Sequence, residues 1–486
     1  MKICFMCDLH LPFEERAVQY DVLDWAKSQI EKDKPDCIVF AGDFTADGNL
    51  AVYEKVLSKF NRIGIPFLYI PGNSDLRTVD TRAHIKNLAS DCLTVVDGIQ
   101  IFAINDSDGS ISEAQLELLE SANERSIVFM HHPICCIKQS QREKFLQWKN
   151  THKGARVFFA HEHYFEERDE WVSLPAMDPD KAIDEKPCIA YYDTNTKSFQ
   201  KVYYPCDLPT DLPMHFGISC YYPETDIAFA LEKGLKNLEL RPNIVKADEE
   251  KIVALIEKWR LLGDTNLSIH LSEVSYQDGN VVVDETYPRL IALGKRLKAE
   301  RFTQHVPLVS VATIRENAQV LEDICAYVAN ALSAVDYPCV IGVENMHMTK
   351  SECANDERRF GYTPEETLSF MNGLRQKTQH IVGVNFDIGH ARNNAPYSQK
   401  YPIGTWLAML GKDIVGYHLH QVTEQGGQFE NHMPITKPYG RLISFASFFR
   451  CWQDERITHC PVIFEMRPKN AYAITLDAFE SFNKMS

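Results

Sequence analysis

Two hydrophobic periods alternate along the first two hundred residues. The apolar runs KICFMC, DCIVFAGD, FLYIPGN, IQIFAIND, SIVFMHH and ARVFFAHEH have the length of buried strands, and each ends in polar or charged residues. Between them, ERAVQYDVLDWAKSQIEK and SEAQLELLESA carry the helical period, the second opened by Ser112 as an N-cap. The segment YYPCDLPTDLPMHFGIS follows, and Pro205, Pro209 and Pro213 predict an extended linker over residues 206–213. From Phe216 onward a second series of strand candidates appears: FGISCYY, NLELRP, LSIHLSE, RFTQHVP, PCVIGVEN, IVGVNFDIGH, VGYHLHQ and PVIFEMRP. Helical segments such as DEEKIVALIEKWRLL, RENAQVLEDICAYVANAL and TPEETLSFMNGLRQKT separate them, which predicts a (β/α)8 barrel. In both halves ionisable residues crowd the strand ends, where α/β folds gather their sites.

The length of 486 residues fits two domains, and 45% hydrophobic with 24% charged residues is a globular balance. The opening MKICFMCDLHLPFEE reaches Asp8 before any apolar stretch is long enough for a signal peptide. No later run approaches a membrane span, so a cytoplasmic protein without a membrane partner is expected. The fourteen cysteines show no disulfide-framework spacing, and Cys4 and Cys7 of CFMC lack a second pair to complete a zinc site; reduced core thiols are expected. A net charge of −16 speaks against a general affinity for polyanions. Nucleic acid stays possible without being favoured, because carboxylates that hold metal reverse the local charge. Nothing in the sequence sets an oligomeric state.

The first half offers Asp8 and His10 in CDLH, Asp43 and Asp47 in GDFTADG, Asn73 and Asp75 in GNSD, His131 and His132 in FMHHP, and His161 and His163 in AHEH. Mixed Asp, Asn and His donors suit Zn, Mn or Fe, and two adjacent ions suit phosphoryl chemistry. The order DxH, GDxxxD, GNxD, HHP and HxH resembles the calcineurin-like metallophosphoesterase family over residues 1–205, an α/β sandwich. DSDGSISEAQLELLE followed by IVFMHHPI is similar to its cyclic-nucleotide phosphodiesterase branch. The resemblance implies one metal on Asp8, His10, Asp43 and His163, and a second on Asp43, Asn73, His131 and His161, with Asp43 bridging. Asp43, Asn73 and Asp75 are the expected catalytic group. His132 reads as a solvated or capping neighbour. Two positions depart from the family: Ala160 replaces a glycine before HxH, and Ser74 stands where a histidine is thought to stabilise the transition state or protonate the leaving oxygen. Serine does not titrate near neutrality, so substrates with good leaving groups are expected.

The second half carries Glu239, His270, His305, Glu344, His347, Asp387, His390, His418, His420, Glu430, His432 and Glu465, nearly all at strand ends. GVEN, FDIGHA, YHLH and IFEMRP resemble the xylose-isomerase-like barrel superfamily over residues 214–486, which includes single-metal sugar isomerases and epimerases as well as the three-zinc endonuclease IV. An isomerase-like site implies one metal on Glu344, Asp387, His420 and Glu465, with His390 beside the substrate. An endonuclease IV-like site implies His270 and His305 with a bridging Glu344, then Asp387, His418 and Glu465, and a third metal on His390, Glu430 and His432. The family has aspartate where Glu430 stands. Glu344 and Glu465 are the expected catalytic carboxylates, and Glu239 and His347 either bind substrate or support the ligands. No loop motif for gripping damaged DNA is identifiable.

These features lead to the expectation of a two-domain, metal-dependent hydrolase of phosphorylated sugar or nucleotide substrates. It would hold two divalent ions in the first half and one to three in the barrel. A bifunctional phosphatase and sugar isomerase or epimerase is the alternative, and a nucleotide- or sugar-phosphate-binding regulator is a third.

Overall fold

Strands whose faces are both covered need near-continuous apolar runs, and KICFM and CIVFA supply them. In the computed structural model, which describes residues 1–348, 357–425 and 428–485, Lys2–Met6 pairs in parallel with Cys37–Ala41, which pairs with Phe67–Ile70. Cys188–Asp193 and Ser198–Tyr203 complete this five-stranded sheet on the other side of Lys2–Met6. A second, six-stranded sheet contains Ile99–Ala103, Ile127–Met130 and Arg156–Phe159 at its centre. Ile3, Phe5 and Val39 of the first sheet pack with Ile101, Phe129 and Phe158 of the second in one buried core, an α/β sandwich. Phe102, Val128 and Val157, on the outer face of the second sheet, pack under Leu116 and Leu119 of the helix Glu113–Leu119 and under Phe145 and Trp148 of Gln139–Thr151. Ser112 caps the first of these helices reciprocally with Gln115, as its position predicts.

The eight predicted barrel strands all form and close in sequence order: Phe216–Cys220, Asn237–Leu240, Asn266–His270, Arg301–His305, Val340–Glu344, Ile381–Asp387, Ile414–Leu419 and Val462–Phe464. Two hairpins are added beyond strand ends, Val274–Gln277 with Asn280–Val283 and Gln421–Gln425 with Gln428–Met433.

The chain divides into two compact units, Met1–Asp207 with Tyr439–Arg450, and Leu208–Pro438 with Cys451–Ser486. Tyr439–Arg450, expected within the barrel, thus belongs with the first unit, where the Tyr439 hydroxyl donates to the Cys206 carbonyl at 2.8 Å and Asp184 N donates to the Tyr439 carbonyl at 2.9 Å. The segment read as an extended linker ends in a 3-10 turn, Leu212–His215, because Pro213 in its first positions presets a helical φ. The cysteines are mostly buried as expected, but Cys135 and Cys136 are exposed on the turn after Pro133, and Cys353 lies outside the described residues. No helix among the described residues is long and apolar enough to cross a membrane.

Candidate metal centres

In the first unit the ligand candidates sit on the turns that leave five strands. Asp8, His10, Asp43, His161 and His163 all take left-handed backbone, with φ between +48° and +71°. Such conformations disfavour side chains other than Asn and Asp, and persist only where neighbours enforce them. Two turns interlock to do so here: Asp8 N donates to the Gly42 carbonyl at 3.0 Å, while Leu9 N and His10 N donate to the Asp43 carbonyl at 2.9 and 3.0 Å. Gly72 is obligatory beside them, because a Cβ there would overlap the Asp43 carboxylate.

Asp8, His10, Asp43 and His163 bring their donor atoms within 4.8 Å of one another. His10 Nε2 lies 3.0 Å from Asp43 Oδ2, and His163 Nε2 lies 3.5 Å from Asp8 Oδ1. Next to them, Nδ1 of His131 faces the Ala41 carbonyl at 2.9 Å, so that nitrogen carries the proton. Its Nε2 therefore turns a lone pair on Asn73 Oδ1 at 3.0 Å and Asp43 Oδ1 at 3.5 Å. His161 Nδ1 meets the same Asn73 oxygen at 2.9 Å. Lone pairs facing each other in a buried site repel unless a cation lies between them, so this donor set fits a divalent ion. Burial opposes the charge on Asp8, yet His163 and His131 hold its carboxyl down to about 2. Burial also brings His10 down to about 3 and His161 to about 4, which keeps both imidazoles neutral.

Asp75 and His132 differ from expectation, while Ser74 is as poor a stand-in for histidine as expected. Asp75 is fully buried, and its carboxylate accepts from Thr45 N at 2.8 Å, Thr45 Oγ1 at 2.9 Å, Gly72 N at 2.9 Å and Phe44 N at 3.2 Å. That consumes its oxygens in fixing the turn that carries Asp43, so Asp75 is a positioning residue. Ser74 is also buried; its hydroxyl donates to the Thr45 carbonyl at 2.7 Å and its N–H to Asp43 Oδ1 at 2.8 Å. The hydroxyl is thus committed to the backbone and does not substitute for a histidine. His132 is buried, with its ring 4.8 Å from that of His161 and its Nδ1 3.0 Å from the Asp106 carbonyl. Asp106 and Asp178 escaped the sequence reading. The first accepts from both His131 N and His132 N at 2.8 Å, and the second lies 3.4 Å from His10 Nδ1. Asp106 ends the run IQIFAIND, so the strand-end rule pointed to it; Asp178 sits in an irregular loop with no such signal.

In the barrel, His270, His305, Glu344 and Asp387 are the last residues of four strands, and His420 and Glu465 directly follow two others. Parallel register puts His305 opposite Glu344 and Asp387 opposite His418. Three donor groups result: His270, His305 and Glu344; Glu344, Asp387, His418 and Glu465; and His390, His420 and His432. Glu344 belongs to the first two. Its carboxylate lies 3.4 Å from His270 Nε2, 3.3 Å from His305 Nε2 and 3.1 Å from His418 Nδ1.

Each imidazole is oriented by its other nitrogen. Nδ1 of His270, His390 and His432 faces the carbonyl of Leu271, Asn345 and Glu465 respectively, at 2.9 to 3.2 Å. His305 Nδ1 faces Glu273 at 3.1 Å, and His418 Nε2 faces Glu239 at 3.1 Å. The opposite nitrogens point into the groups. As a consequence His270 Nε2, Glu344 Oε1, Asp387 Oδ2, His418 Nδ1, His420 Nε2 and Glu465 Oε2 are buried with no hydrogen-bond partner. Buried polar atoms left so cost free energy individually, and this many in one pocket fit bound cations. Burial opposes ionisation of Asp387, but His390 and His420 bring it down to about 2; burial likewise opposes the charge on His305, yet Glu273 and Glu344 raise it to about 10. An environment that holds protons on imidazole so firmly would hold a divalent ion in their place.

One assignment of the three-metal reading changes. Glu430 is exposed and lies outside all three groups. The left-handed backbone of His432, at φ +59°, breaks the two-residue alternation of its strand, so the imidazole turns inward while Glu430 stays in solvent. His420 takes the place expected of Glu430, and His418 joins Glu344, Asp387 and Glu465, as the endonuclease IV-like set implies and the isomerase-like set does not. His418 and His420 share a face, with His418 about 7 Å deeper along the barrel by strand rise. Gly389 gives His420 its room, since a Cβ there would overlap the imidazole. Glu239 supports rather than binds: it accepts from Ser219 Oγ at 3.0 Å, Thr303 Oγ1 at 2.7 Å and His418. The His347 ring lies tilted beside that of His390, with centroids 4.8 Å apart. Glu273, and Arg241, which pairs with Glu465, were not singled out from sequence although Arg241 follows a barrel strand.

Fold and donor groups together define a metallophosphoesterase-type sandwich and a barrel whose strand ends gather metal-type donors. The calcineurin-like phosphoesterase family matches residues 1–165 and the xylose isomerase-like TIM barrel family matches residues 286–482, so the chain carries a domain of each. A probable cyclic nucleotide phosphodiesterase of Fibrobacter succinogenes is 29% identical over 149 residues, 28% of this chain and 58% of that protein. A probable glycerophosphodiester phosphodiesterase GpdQ of Arcobacter nitrofigilis is 26% identical over 118 residues, 21% of this chain and 43% of that one. The chain thus spans about half the length of the curated relatives it matches. Endonuclease IV from Thermus thermophilus aligns with 56% of this chain and 100% of its own at 16% identity, TM-score 0.37.

Proposed function

We propose that the chain is a two-domain metal-dependent phosphoesterase that cleaves phosphodiesters of sugar or nucleotide type. The first unit would hold two divalent ions on Asp8, His10, Asp43, Asn73, His131, His161 and His163. The barrel would hold up to three, on His270, His305, Glu344, Asp387, His390, His418, His420, His432 and Glu465. One observation carries the barrel reading. A single-metal isomerase site on Glu344, Asp387, His420 and Glu465, with His390 beside the substrate, would leave His270, His305 and His432 without a role although all three stand in donor groups.

Such ions supply Lewis acidity that stabilises charge developing on the phosphoryl oxygens. The protein's part is positional: Asp43 and Glu344 are shared carboxylates that fix neighbouring donor groups at one spacing, while Asp75 and Glu239 hold Asp43 and His418 in place. Hydrolysis consumes one water and releases an alcohol and a phosphomonoester. With the Ser74 hydroxyl committed to Thr45, the first unit offers no proton donor at that position, which favours esters with good leaving groups.

The test is metal content by mass spectrometry on the full chain purified without chelator, paired with hydrolysis of phosphodiesters. Roughly five ions per chain and phosphate-ester cleavage lost in Glu344→Gln on an Asp43→Asn background support the reading. Roughly three ions, with sugar isomerisation retained in Asp43→Asn, would replace it with a phosphatase joined to an isomerase.

A further inference from the structure

The mouth of the barrel carries an aromatic and basic rim that none of the donor groups uses. Tyr221 and Tyr222 follow the first barrel strand, 37% and 36% exposed, with rings 5.3 Å apart. Arg241 follows the second strand; its guanidinium carbon lies 5.9 Å from the Tyr221 ring centre while the group pairs with Glu465. Arg467 and Lys469 follow the eighth strand and are exposed. Arg467 N donates to the His432 carbonyl at 3.0 Å, which sets this residue beside the histidine group, and Lys469 Nζ lies 5.4 Å from the Tyr222 ring. Among the described residues neither Arg467 nor Lys469 has a carboxylate partner. In a chain of net charge −16, such a concentration of cations next to exposed rings runs against the average surface.

An isolated surface lysine or tyrosine needs no explanation. Here the residues come from three different strand-end loops, meet at one edge of the donor groups, and connect to them through Arg241–Glu465. Cations recognise phosphate oxygens, and an exposed ring stacks on any planar base. We propose that Tyr221, Arg467 and Lys469, backed by Arg241, form a recognition subsite that takes the base and flanking phosphate of a nucleotide-type phosphodiester. The subsite rests on the phosphoesterase reading above and narrows its substrate class, since a sugar phosphodiester offers the anion but no flat ring.

The test uses the full chain carrying Asp43→Asn, which silences the first unit, with a dinucleoside monophosphate and a diester that has neither ring nor cation, glycerophosphoglycerol. Tyr221→Ala raises KM for the dinucleotide by roughly 5- to 150-fold, the range of one lost base stack, and leaves KM for glycerophosphoglycerol unchanged. Tyr221→Phe keeps the ring and the low KM. Arg467→Ala raises KM for both. An octanucleotide probe separates a strand from a small nucleotide as the source, and either must show the Tyr221→Ala effect. Equal changes on both diesters, or none, overturn the subsite. If neither diester is cleaved, the phosphoesterase reading fails, and calorimetric binding of the dinucleotide decides the subsite separately: affinity lost in Tyr221→Ala and kept in Tyr221→Phe supports it, and affinity indifferent to Tyr221 overturns it.

Discussion

Glu239→Gln isolates the orientation of one imidazole. Glu239 is buried beneath the Glu344 group and accepts from Ser219 Oγ at 3.0 Å, Thr303 Oγ1 at 2.7 Å, Ser268 Oγ at 3.3 Å and His418 Nε2 at 3.1 Å. Glutamine keeps the shape, and the three hydroxyls can rotate to accept from its amide, so the packing survives. What changes is the bond that holds the His418 proton on Nε2 and leaves Nδ1 free to face Glu344 and Glu465. A hydrogen bond to a charged partner contributes about 1.5–3 kcal/mol and a neutral one about 0.5–1.5. The difference of about 1–1.5 kcal/mol is a roughly 5- to 10-fold loss, at the lower edge of the 10- to 100-fold that removal of such supporting partners typically costs in metal affinity. The assay is metal per chain by mass spectrometry after equilibration against graded chelator, with circular dichroism to confirm folding. One ion should leave at lower chelator while the others hold. An unmoved release profile in a folded Glu239→Gln protein would falsify the claim that Glu239 works through His418.

Ser74→Ala should cost about 1 kcal/mol of stability, measured by denaturant unfolding, because the Thr45 carbonyl loses its buried donor; phosphodiester turnover by the first unit should be unchanged, and a large drop would mean that the hydroxyl takes part in the chemistry. His420→Ala should remove about one ion per chain whereas Glu430→Ala should remove none, and the reverse would restore Glu430 as a ligand. Exhaustive chelation should lower Tm, since cations that bind only the folded state stabilise it by mass action, and an unchanged Tm would count against occupied centres. Burial pushes Asp226 up to about 6, above its unfolded value, so its contribution to stability is fully present below about pH 3.9 and is lost as pH rises through 6. Asp226→Asn should therefore flatten the stability profile between about pH 4 and 6, and identical wild-type and variant slopes would contradict this.

The barrel strands were legible as buried apolar runs, and in four of them the closing residue is itself a donor, as where His270 ends NLSIH and Glu344 ends VIGVE. Where a donor lies off this pattern the sequence misleads. His432 sits on a hairpin strand whose alternation is broken by its own left-handed backbone, so spacing put Glu430 beside it when His420, twelve residues earlier, is the neighbour. Asp75 looked catalytic because it follows Asn73, and only its four donors show it facing away from the site. Charge at strand ends is visible in one dimension; which way a side chain turns in a loop is set by the other strands around it.

The return of Tyr439–Arg450 to the first unit has a consequence for synthesis. The Tyr439 hydroxyl and the Cys206 carbonyl it reaches are separated by 233 positions in the chain. Domains generally fold as they emerge from the ribosome, N-terminal first. Here the leading unit must wait, incompletely closed, until almost the whole barrel sequence has been translated. A fragment cut at the proline-rich seam would lack this strap permanently, so its melting temperature would describe a different object from the unit in the intact chain.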